Sequence, residues 1–126
     1  MSEQVYEEPI LPCIKKMLGL DECYAPFDQE IVAQINTVFL DLNQLGVGRN
    51  NFQVTLYKNE TWKDFLGDAE NMDAVKTYVW ANVKMAFDPP ASSVMMDSLK
   101  WLIEKLEFRL MTQVVENRKA DEANNP

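Results

Sequence analysis

Asp88-Pro89-Pro90 is the feature that most limits what this chain can become. It interrupts an otherwise helical stretch, MDAVKTYVWANVKMAFDPPASSVMMDSLKWLIEKLEFRL, over residues 72–110. A residue before proline is pushed out of the helical region, and proline has no N–H for a helix ladder. The first helix must therefore stop near Phe87. Proline is welcome in a first helical turn, so the same dipeptide can open the next helix. The expectation is a helix–corner–helix unit, with Asp88, Pro89 and Pro90 as a structural corner and two arms that cross or lie antiparallel.

The faces of those arms follow from a step of about 100° per residue. With Leu99 as centre, Met95, Leu102, Leu106 and Leu110 fall within roughly 60° of it, and Ile103 and Met96 lie beside them. That is a core stripe. Val94, Trp101, Phe108 and Val115 recur at every seventh position on the opposite side, together with Asp97 and Glu104. Two opposed apolar seams cannot both be satisfied by one neighbour. The second seam is covered either by another part of this chain, such as residues 9–20, or by another subunit. Exposed aromatic patches on a small protein usually mark contacts.

The helix before the corner, residues 72–87, is apolar nearly all round. Met72, Val75, Val79, Val83 and Ala86 form one stripe; Ala74, Tyr78, Ala81 and Met85 form another. Such a helix is buried on most sides and belongs at the centre of the core. Upstream, Ile31, Ile35, Val38, Leu42 and Leu45 make the cleanest amphipathic pattern in the chain, with Asp28 as its N-cap and Gly46 at its end. A short helix is expected within residues 9–20, with Pro12 in its first turn and Gly19 just past its end. Another is expected over TWKDFLG, capped by Thr61 and ended by Gly67, where Trp62, Phe65 and Leu66 pin the chain to the body.

Residues 46–61 break the helical period. Gly46, Gly48, Asn50 and Asn51 are turn formers. Phe52, Val54 and Leu56 alternate with Gln53, Thr55 and Tyr57, which is strand-like. One short strand is not stable alone, so it pairs within the loop or with a neighbouring subunit. Arg49, Phe52, Val54, Leu56 and Tyr57 are the loop's contact candidates. After Val115 the apolar period is lost. The chain thus divides into a loose acidic N-terminus (1–8), a helical domain (9–115) and a polar C-terminal tail (116–126). The fold class is all-α, a small bundle of four to five helices with one irregular loop.

Composition excludes several functions. A formal charge of −8 argues against a nucleic-acid reader, whose affinity rests on Lys and Arg. The only basic cluster, Lys15-Lys16, is too small for one. The chain has no histidine, hence neither the commonest general base nor the usual zinc ligand. No nucleotide loop, nucleophile elbow or metal-ligand spacing is present. Glu104 and Glu107 share part of a helix surface, as solvated charge. No enzyme activity, cofactor or metal is expected. No apolar run is long enough to span a membrane, and the N-terminus lacks the basic start of a secretory signal, so Cys13 and Cys23 are expected as reduced thiols.

Five segments in order resemble the small head–tail connector, or adaptor, proteins of long-tailed bacteriophages and prophages. They are LPCIKKMLGL (11–20), FDQEIVAQINTVFLDLNQLGVG (27–48), TWKDFLGD (61–68), AVKTYVWANVKMAFDPPASS (74–93) and EKLEFRL (104–110). The resemblance implies a virion protein, made in the host bacterial cytoplasm, whose copies form a ring, commonly of twelve. That ring lies beneath the portal, joins it to the next connector, stopper or tail protein, and extends a channel through which DNA passes unread. It also implies that the long helices and the loop at 46–61 form contacts between subunits and rings, and that the C-terminal region reaches the portal. Val94, Trp101, Phe108 and Val115 are the subunit-contact candidates. The competing reading is a cytosolic helical adaptor that docks a partner helix on a Trp101/Phe108 groove.

Overall fold

The computed structural model describes residues 8–67 and 71–124. They form five helices: α1 (Ile10–Met17), α2 (Asp28–Leu45), α3 (Trp62–Leu66), α4 (Met72–Phe87) and α5 (Ser93–Asn124). Among the described residues there is no strand, only a single bridge between Pro9 and Thr61. The expected all-α class and helix number hold. The expected loose N-terminus falls outside the described residues except for Glu8. Glu8 is held: its carbonyl accepts from Trp62 N at 3.2 Å and its carboxylate pairs with Lys76 at 2.9 Å.

The centre of the molecule is α4, which packs against α1, α2 and α5. Val75, Val79 and Val83 of α4 meet Ile31, Ile35, Val38 and Leu42 of α2, with Ile10 and Ile14 of α1 and Leu106 and Leu110 of α5 closing the core. Burying each large apolar side chain contributes about 1.5–3 kcal/mol. Two residues of α4 show how its neighbours are arranged. Lys76 reaches Glu8, just ahead of α1, whereas Tyr78 reaches Glu107 of α5 at 3.4 Å. Two residues along a helix turn it by about 200°. The α1 side and the α5 side therefore lie on opposite flanks of α4.

Tyr78 is buried, and that burial, reinforced by the charge of Glu107, pushes its phenol up to about 12 from 10.0. Between those two pH values the folded chain keeps a proton that the unfolded chain has lost. Stability from this group is complete below pH 10 and falls away as pH approaches 12. Urea unfolding between pH 9 and 11 should therefore show a downward slope that Tyr78→Phe makes shallower. Equal slopes would refute the assignment.

The corner ends α4 at Phe87 as expected, but the prolines do not open α5. That helix starts at Ser93. Ser92 caps it, its hydroxyl accepting from Met95 N at 3.4 Å and its carbonyl from Met96 N at 2.9 Å. Lys84 holds the corner from behind, donating to the Asp88 carbonyl at 3.2 Å and pairing with its carboxylate at 3.3 Å.

Asp28 is not a cap either. It is the first residue of α2, and its carboxylate lies 2.9 Å from Lys15 Nζ, an ion pair without the alignment of a directed hydrogen bond. Lys15 is 2% exposed and also donates to the Glu22 carbonyl at 2.8 Å. Half of the supposed basic cluster is thus a core residue that ties α1 to the start of α2. Cys13 is buried and Cys23 exposed, and both are free.

The loop between α2 and α3 folds back without pairing as a strand. Asn36 of α2 substitutes for a neighbouring strand: its side chain donates to Val54 O at 3.0 Å and accepts from Val54 N at 2.7 Å. Phe39 stacks on Phe65 with ring centroids 4.1 Å apart, and Phe52 and Trp62 close around that pair. Thr61 caps α3 as expected, and the Asp64 side chain returns a bond to make the cap a reciprocal capping box. The polar segment after Val115 is not a separate tail but continues as helix to Asn124.

Candidate functional site

Because α5 has apolar residues on two faces, its packing decides which one is left over. Leu99, Leu106 and Leu110 are buried, and Leu102 and Ile103 pack against the core. The opposite face stays bare: Val94 is 72% exposed, Trp101 61%, Phe108 72% and Val115 48%. Residues 9–20 do not cover it, since α1 sits on the other flank of α4. Of the two covers open to this seam, the same-chain one is absent among the described residues.

The exposed patch is wider than heptad spacing indicates. Helical geometry places Met95 in the core stripe, yet it is exposed, as is Met111. Met95 belongs to the first turn after the corner, ahead of Leu99, the first residue of α5 to be buried. Lys105 Nζ lies 4.8 Å from the centre of the Trp101 ring, a cation–π contact along one edge of the seam. Along the other edge run Asp97 and Glu104, two helical turns apart. Neither makes an ion pair within the described residues, although Lys100 shares that edge.

The loop candidates separate into two groups. Val54 is buried in the chain's own core and has no surface to offer a partner, and Phe52 is half-buried against the stacked Phe39–Phe65 pair. Alternation puts Phe52, Val54 and Leu56 on one face, but Leu56 is exposed and the cover over Val54 comes from α2. Arg49, Leu56 and Tyr57 are exposed, Tyr57 at 86%. The tip is held from inside. Glu60 accepts from Thr55 N at 3.1 Å and from its hydroxyl at 2.8 Å, while that hydroxyl accepts from Lys58 N at 3.2 Å. Asn59 completes the turn at φ 53°.

A cleft of about 160 Å³ separates this tip from α1, lined by Leu11, Pro12, Lys15, Asp28, Thr55 and Glu60. Its charged groups are already paired with one another or with backbone. Among the described residues no group of three or more Cys, Asp or Glu could hold a metal, and no helix is long and apolar enough to cross a membrane.

The molecule thus leaves exposed an aromatic seam on the α5 flank and a loop tip, held by its own hydrogen bonds, beside α1 on the other. Residues 10–117 match the model of a family described as phage connector protein. No curated protein matches the chain, and no solved structure does.

Proposed function

This chain belongs to the phage connector protein family, and on that premise we propose that it works by assembly, as a ring beneath the portal of a tailed phage. The ring joins the portal to the next connector, stopper or tail protein and lengthens the channel through which DNA leaves. Its residence is the virion, after synthesis in the host bacterial cytoplasm. The observation behind this reading is the bare seam of Val94, Trp101, Phe108 and Val115. Large aromatics are the side chains that dominate protein contacts when buried. The charge of −8 suits a conduit that DNA must slide past without adhering.

Trp101→Gln with Phe108→Gln tests it. Both side chains project into solvent, so the urea midpoint should stay within the small range typical of surface changes. Ring formation, followed by electron microscopy of the protein mixed with its portal, should weaken by a factor of about ten or more. If the native protein instead forms only one-to-one complexes with a partner, the competing adaptor reading replaces this one.

A further inference from the structure

A ring of identical subunits needs a head-to-tail contact, which joins two different patches on opposite sides of each copy. The seam on α5 is one such patch. The structure offers one candidate for the other. Lys76 and Tyr78 place the α1 side and the α5 side on opposite flanks of α4, and the loop tip lines the cleft against α1. The tip therefore lies on the α1 flank, a different side of α4 from the seam, as the second half of a head-to-tail pair must.

The chemistry of the two patches also matches. The tip presents Tyr57 and Leu56, both exposed, next to Lys58. Arg49 and Lys63 lie in the same part of the chain, and none of these three cations has an ion-pair partner among the described residues. The seam presents Trp101 and Phe108 beside the carboxylates of Asp97 and Glu104, which likewise form no ion pair among the described residues. Each patch has exposed aromatic surface, and the cation at the tip has the carboxylates along one edge of the seam to meet, opposite the edge that Lys105 occupies. The Glu60–Thr55–Lys58 hydrogen bonds hold the tip in shape before any partner arrives, which lowers the ordering cost of binding.

We infer that the Leu56–Lys58 tip of one copy seats on the Trp101–Phe108 face of the next, with Lys58 set against Asp97 and Glu104. This rests on the reading that copies of the chain assemble, and adds which surface meets which. Lys58→Glu should weaken assembly by about tenfold or more, because like charges brought together at a contact oppose it. Adding Asp97→Lys and Glu104→Lys to the same chain should recover most of the loss. All three side chains are exposed, so circular dichroism should show the native helix content throughout.

A cross-link reads proximity, and oxidation traps even a weakened contact. In a Cys23→Ser background, chains bearing Tyr57→Cys are mixed with chains bearing Phe108→Cys and oxidised. Covalent dimers should form in the mixture well beyond those formed by either chain alone. If native protein assembles but Lys58→Glu has no effect, or the reversed charges fail to rescue it, or the mixture gives no excess of dimers, the pairing is wrong while the ring stands. If the native chain remains a monomer at all concentrations, with and without its portal, both fall.

Discussion

Gly48→Ala should destabilise the fold by about 2–5 kcal/mol, the sum of two separate costs. Gly48 has φ +81°, a left-handed conformation that costs a residue with a Cβ about 1–2 kcal/mol. An added Cβ would also fall against the edge of the Phe65 ring, closer than real Cβ contacts come. That ring cannot step aside cheaply. It is 1% exposed and stacked on Phe39, and its backbone carbonyl accepts from Arg49 N at 2.8 Å. Overpacking a core typically adds about 1–3 kcal/mol. Gly19 makes the control: its φ is +85°, but a methyl added there would meet nothing within 4 Å. Gly19→Ala should show only the smaller backbone cost. Urea midpoints that fall equally for both would mean that Phe65 yields freely, contrary to its packing.

Asp28→Ala should destabilise by about 3 kcal/mol, and Lys15→Met should cost less than that. Removing the carboxylate leaves an ammonium at 2% exposure with one carbonyl partner. Removing the ammonium strands the buried Asp28 Oδ1, but the side chain as a whole is 20% exposed, so the stranded charge costs less than a lone ammonium at 2%. Methionine also keeps most of the lysine stem's packing volume. Thermal unfolding of both variants checks the asymmetry. If Lys15→Met is the more damaging of the two, the pair is not held together in this way.

What the sequence revealed of this fold was what local chemistry dictates. The corner at Asp88-Pro89, the end of α2 at Gly46, the cap at Thr61 and the all-round apolar α4 each follow from a few adjacent residues. What stayed hidden depends on partners far along the chain. Lys15 looks like half of a surface basic pair until α1 folds against Asp28. Residues 52–56 alternate like a strand, yet the hydrogen bonds of Val54 go to the side chain of Asn36, eighteen positions away. Asp28 has the chemistry of a cap, but an ammonium outcompetes the free amides for its carboxylate. The helix past Val115 gives no apolar signal because its side chains stand in solvent. The seam was legible because a seven-residue repeat opposite a core stripe is a geometric fact. Its extent was not, since Met95 lies on the core stripe by angle but ahead of the first buried turn.

The length of α5 has a consequence of its own. At about 1.5 Å per residue it runs about 48 Å, twice the length of α4, and Val115 to Ala123 are exposed. Starting a helix from scratch is the unfavourable step, and here the packed turns upstream have already taken it. A partner that grips the far end of α5 meets a rod already wound, with little slack left to take up, so a pull at that end is passed along the axis to the packed turns at Leu110 and Leu106 rather than absorbed by loose chain.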